Sequence, residues 1–73
     1  MNAYVNRITF NNPSDGVYFF GPNPGDVSGI STGIPSFETF EAAAKSAVSR
    51  KNYYPDVRVI ETMNLMTGEV HVW

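Results

Sequence analysis

The chain carries one histidine, His71, and no cysteine, which limits the chemistry open to it. A metal site at His71 would have to draw on Glu61 and Glu69 for oxygen donors. With no second imidazole and no thiolate, an ordinary strand histidine is the simpler reading. A hydrolytic triad needs a nucleophile, a base and an orienting acid. His71 and a serine could supply two of these, but no Gly-x-Ser-x-Gly elbow presents the serine. The glycine- and proline-rich stretch from residue 21 to 35 has no lysine and no Gly-Lys-Ser/Thr ending, so it reads as a connector rather than a phosphate loop. Ser36, just beyond it, could present a helix N-terminus to an anion, but nothing else there points to one. No catalytic residue, metal ligand or cofactor motif is expected.

What remains is recognition chemistry. Trp and Arg are the side chains that most often anchor protein interfaces. Arg58, Ile60 and Thr62 alternate along one stretch, and His71 and Trp73 along the next, so they share a face if the two stretches pair as strands. Arg7, Tyr18 and Phe20 complete a candidate partner-binding set: Arg7, Tyr18, Phe20, Arg58, Ile60, His71 and Trp73. The competing reading is that the 21–35 stretch folds over this face and makes it core. Tyr53 and Tyr54 beside Arg50 and Lys51 form a second candidate patch, or the ordinary packing of a helix-to-strand connection. Gly16-Val17-Tyr18-Phe19-Phe20 partly matches the stacking strand of an RNA-recognition sheet. That motif asks for a basic residue before the glycine, and Asp15 stands there.

Charge argues the same way. Five Lys and Arg stand against seven Asp and Glu, a formal net charge of −2. A protein that binds by neutralising phosphates normally shows a basic face. Direct nucleic-acid binding is therefore disfavoured. No apolar run approaches the ~20 residues of a membrane-spanning helix. The opening residues, Met1 to Asn6, lack the basic and apolar segments of a signal peptide. The absence of cysteine fits a reducing compartment. The expectation is a soluble cytoplasmic protein without membrane partners.

The elements that must position these residues follow from periodicity. The 73 residues fit one small domain, with residues 21–35 as a long loop within it. Ala3 to Phe10 alternates and predicts a strand, with Tyr4, Asn6, Ile8 and Phe10 on one face and Val5, Arg7 and Thr9 on the other. Asn11 to Gly16 supplies a turn, and Val17 to Phe20 a second strand that contributes Phe19 to the core. Phe37, Phe40, Ala43, Ala44, Ala47 and Val48 make a helical stripe, so Ser36 to Lys51 is expected as a helix capped by Ser36. Glu38 and Glu41 near its start and Arg50 and Lys51 near its end suit the helix dipole. Val57 to Met63 and Glu69 to Trp73 predict a hairpin closed by a glycine bulge at Gly68, with Met63 facing Val70 and Glu61 facing Val72. Val57, Val59, Met63, Val70 and Val72 are expected to meet the helix. The opposite face, with Tyr18, Phe20, Ile60 and Trp73, is expected to stay uncovered. The fold class is α+β: a small antiparallel β-β-α-β-β sheet with one amphipathic helix on one face. The first strand is also expected to offer an unpaired edge through which two copies could join.

A helix such as Phe37-Glu38-Thr39-Phe40-Glu41-Ala42-Ala43-Ala44 running into a strand such as Val57-Arg58-Val59-Ile60-Glu61 resembles the small phage-encoded host-takeover proteins that bind bacterial RNA polymerase. The resemblance covers Ser36 to Glu61 and is architectural. It implies a non-enzymatic regulator that docks on the polymerase in the host cytoplasm and inhibits or modulates transcription, at initiation or termination. It carries over no functional residue, because no family motif is matched. Anti-CRISPR proteins and other inhibitors of host defence share the same size and look and are the nearest alternative. A sheet that binds RNA through its aromatic face is the second.

Overall fold

The first strand, β1 (Tyr4–Phe10), lies at the centre of the sheet. The structure, a computed structural model, describes residues 3–73. A single 3-10 turn, Pro13–Asp15, reverses the chain after β1. Asn12 caps it by accepting the Ser14 N–H, and Pro13 supplies a fixed φ where no amide donor is needed. Then come β2 (Val17–Phe20), a short β3 (Val27–Ser28), the helix α1 (Phe40–Tyr53), β4 (Val57–Asn64) and β5 (Val70–Val72). The strands form one antiparallel sheet in the order β3-β2-β1-β4-β5. This is the α+β class the sequence implies, with one strand more than expected.

The added strand arises inside the 21–35 stretch. Asp26 accepts hydrogen bonds from the backbone and side chain of Asn23, closing a turn that lays β3 against β2. Gly21 is needed at its base, since a Cβ there would sit 2.5 Å from the Pro35 carbonyl oxygen. Further on, Phe37 forms a two-way backbone bridge with Tyr4. That bridge keeps Phe37 extended, so the helix begins later than its apolar stripe suggests. Its cap is Thr39, which accepts the Ala42 N–H at 3.1 Å, and not Ser36. At the other end α1 reaches Tyr53, and Pro55 follows two residues on.

The β4–β5 hairpin has the expected register, with Met63 opposite Val70 and Glu61 opposite Val72. Gly68 sits at φ +80°, as a glycine bulge requires, and donates its N–H to the Asn64 carbonyl. The faces, however, are exchanged. The helix covers the row that carries Ile8, Phe20 and Ile60, which pack with Ala47 into the core. Phe10, Tyr54, Val57 and Trp73 surround that core. Val59, Met63, Val70 and Val72 face the other way, with Val5, Arg7, Thr9, Val17 and Phe19. A bulge in β4 leaves Arg58 without an opposite number on β1: Thr9 pairs with Val59 and Phe10 with Val57. The first strand has no free edge either, because β2 and β4 flank it.

Polar groups on the helix side explain the exchange. Asn6 and Thr62 look like surface residues, yet both are buried. The Trp73 indole N–H donates to Thr62 Oγ1 at 2.7 Å, and the Thr62 hydroxyl donates to Asn6 Oδ1 at 2.6 Å. Asn6 Nδ2 then donates to the Ala43 carbonyl at 2.9 Å. Among the described residues no buried side-chain polar atom lacks a partner. A polar chain so completed can lie under a helix at little cost.

Candidate functional site

The residues singled out from the sequence do not form one surface. Phe20 and Ile60 are 1% and 0% exposed and belong to the core, so they cannot meet a partner as expected. The guanidinium of Arg50 lies over the Phe20 ring, 4.5 Å from its centre, and closes the core at the helix end. Tyr18 is exposed on β2, edge-on to Phe10. Arg58 is exposed at the bulge. His71 and Trp73 flank the helix, with ring centres 4.2 Å apart, and both rings meet Phe40. Of the seven, only Arg7 lies on the uncovered face.

That face is the surface the sequence reading assigned to the helix. No helix lies over it among the described residues, since α1 packs on the opposite row. Val17, Val70 and Val72 are 43%, 46% and 60% exposed, and Phe19, Val59 and Met63 are half-buried around them. Of its strand residues only Val5 is buried. At the centre, Arg7 and Glu61 stand directly opposite each other on β1 and β4. Arg7 Nε donates to Glu61 Oε1 and its terminal nitrogen to Oε2, both at 2.9 Å. The hydrogen bonds to Glu61 hold the guanidinium pKa above its ordinary value, against the smaller opposing effect of partial burial. The guanidinium therefore stays charged at any working pH. The face is an apolar sheet surface with one internally neutralised pair at its middle, the make-up of an interface core where unpaired charge is depleted.

A second feature lies on the helix side, between the start of α1 and the β4–β5 hairpin. It is a notch of about 440 Å³ whose lining includes Tyr4, Phe40, Asn64, Glu69 and His71. The expected patch at the helix end is present as well: Tyr53 is largely exposed and packs edge-on against Tyr54. Among the described residues no three His, Cys, Asp or Glu side chains converge as a metal site. No helix among them is long and apolar enough to cross a membrane. Comparisons with protein-family models, curated proteins and solved structures find no match to this chain.

The uncovered face was within reach of sequence reasoning. Alternation places Glu61 in the row of Val59 and Met63, and Arg7 in the row of Val5 and Thr9. Packing either row under the helix buries a charge, which is expensive. Alternation also puts Arg58 and His71 in the row of Ile60 and Thr62, but both stay exposed, so covering Asn6 and Thr62 with the helix buries no charge.

Proposed function

We propose that this protein is a non-enzymatic binding module that acts by laying the uncovered face of its sheet on another protein. The observation that carries the reading is that face itself: Val17, Phe19, Val59, Val70 and Val72 gathered around the Arg7–Glu61 pair, with no helix packed over them among the described residues. Contiguous apolar surface of this kind on a small domain marks an interaction site. Its rigid backing, a five-stranded sheet fixed by a helix, suits a steric mechanism in which the module occupies ground another factor needs.

The partner we propose is bacterial RNA polymerase, on the strength of the architectural resemblance. In this reading the protein is phage-encoded, works in the host cytoplasm, and inhibits or modulates transcription. The acidic balance favours a protein surface over nucleic acid as the direct target. The test is binding of the purified protein to purified bacterial RNA polymerase, followed by promoter-dependent transcription. Saturable binding that lowers transcript yield and is lost with Val72→Glu supports the proposal. No binding to polymerase, together with inhibition of a CRISPR surveillance complex, moves the function to host-defence inhibition. Binding to single-stranded RNA alone, steeply weakened by salt, moves it to an RNA-binding sheet.

A further inference from the structure

The notch beside the helix start has a chemistry of its own. Tyr4 meets Phe40 edge-on at 5.8 Å between ring centres, and Phe40 meets His71 edge-on at 5.6 Å. All three rings line the notch, and Glu69 adds a carboxylate. Glu69 and His71 are both exposed, so the opening is accessible. Among the described residues the one salt bridge is Arg7–Glu61, which leaves the Glu69 carboxylate without a cation of its own. No lysine or arginine lines the notch. The positive end of α1, which begins at Phe40, is answered locally by the Thr39 cap and by Glu41 in the first turn.

Aromatic faces attract cations through their quadrupoles, and a desolvated contact adds more than an exposed one. A carboxylate at the rim adds a directional hydrogen-bond acceptor. A planar guanidinium uses both, because it stacks on rings and donates to a carboxylate with the same group. We infer that the notch formed by Tyr4, Phe40, His71 and Glu69 is a binding site for a guanidinium group, presented by an arginine side chain of a partner protein. The notch is lined mainly from the helix side and shares only Val70 with the uncovered sheet face, so this inference can fail while the docking role of that face stands, and the reverse.

The protein carries its own reporter. Its single tryptophan, Trp73, packs at a tilt against His71 and Phe40, two rings of the notch, so its emission is expected to respond when the notch is occupied. The experiment titrates the protein with N-acetyl-arginine amide and with its neutral isostere, N-acetyl-citrulline amide. Trp73 fluorescence and the NMR signals of His71 are followed. The expected result is a saturable response to the arginine compound, at least about fivefold stronger than to the citrulline one. Glu69→Gln, an exposed substitution that preserves shape, should weaken the arginine response by about threefold or more. Phe40→Leu should weaken it further, with far-UV circular dichroism checking that the helix persists. Equal responses to the two compounds, an unchanged response in Glu69→Gln, or a response to inorganic phosphate and not to arginine would each overturn the inference.

Discussion

At the scale of single residues, the helix side is held by a polar chain as much as by apolar packing. Thr62 Oγ1 accepts from the half-buried Trp73 and donates to the buried Asn6, so one hydroxyl serves two partners. Thr62→Val keeps the shape and removes both bonds. It is expected to lower stability by about 1–3 kcal/mol, the cost of leaving buried polar groups unsatisfied. Urea unfolding measures this, and a loss well under 1 kcal/mol would mean that water reaches the chain. Ile60 makes the matching apolar point. It pairs with Ile8 across β1 and β4 and is fully buried. Ile60→Ala should cost about 2–5 kcal/mol. Small domains hold only about 5–15 kcal/mol in total, so this one change can leave the chain largely unfolded. A folded, stable Ile60→Ala that loses partner binding would instead restore Ile60 to the recognition surface.

At the scale of elements, local sequence and long-range pairing compete over where the helix begins. The apolar stripe starts at Phe37 and Ser36 is a good cap residue, so the local signal points there. Phe37 is drawn instead into a backbone bridge with Tyr4, on the first strand and far earlier in the chain, which no local pattern reveals. Thr39 then takes the capping role. Thr39→Ala is therefore expected to destabilise by about 1 kcal/mol and Ser36→Ala by much less. Thermal unfolding of the two variants side by side checks it, and a reversed order would place the helix start back at Ser36. The β4–β5 hairpin was more legible, because its turn chemistry is local. Gly68 at φ +80° fixes the bulge, and the bulge fixes the register. Gly68→Ala should cost about 1–2 kcal/mol through the left-handed backbone it must keep. The face each strand shows to the helix was the part misread. Both rows are apolar enough, and the deciding facts were the charges of Arg7 and Glu61 on one side and the mutual satisfaction of Asn6, Thr62 and Trp73 on the other. The fifth strand, β3, was hidden because two residues, Val27 and Ser28, carry no periodicity to read.

At the scale of the whole molecule, the two sides of one sheet have separate tasks, and substitution can tell them apart. The helix side carries the core and should respond to mutation as stability. The uncovered side buries Val5 and half-buries Phe19, Val59 and Met63, but leaves Val17, Val70 and Val72 exposed, and those three should respond as binding. A double variant, Val17→Thr with Val72→Thr, keeps β-branched side chains at two exposed strand positions and removes apolar surface from opposite ends of the face. Its unfolding free energy is expected to stay within about 0.5 kcal/mol of the parent, as for surface substitutions in general. Its affinity for a partner that docks on the sheet should fall about tenfold or more, since interface cores lose affinity when desolvated apolar contacts are replaced by unpaired hydroxyls. Chemical denaturation and binding are measured on the same preparation. Stability lost in step with affinity would show that the face is packed against something within the chain. Stability kept with affinity unchanged would free the sheet of its docking role and leave recognition to the helix side, where Phe40, His71 and Trp73 gather.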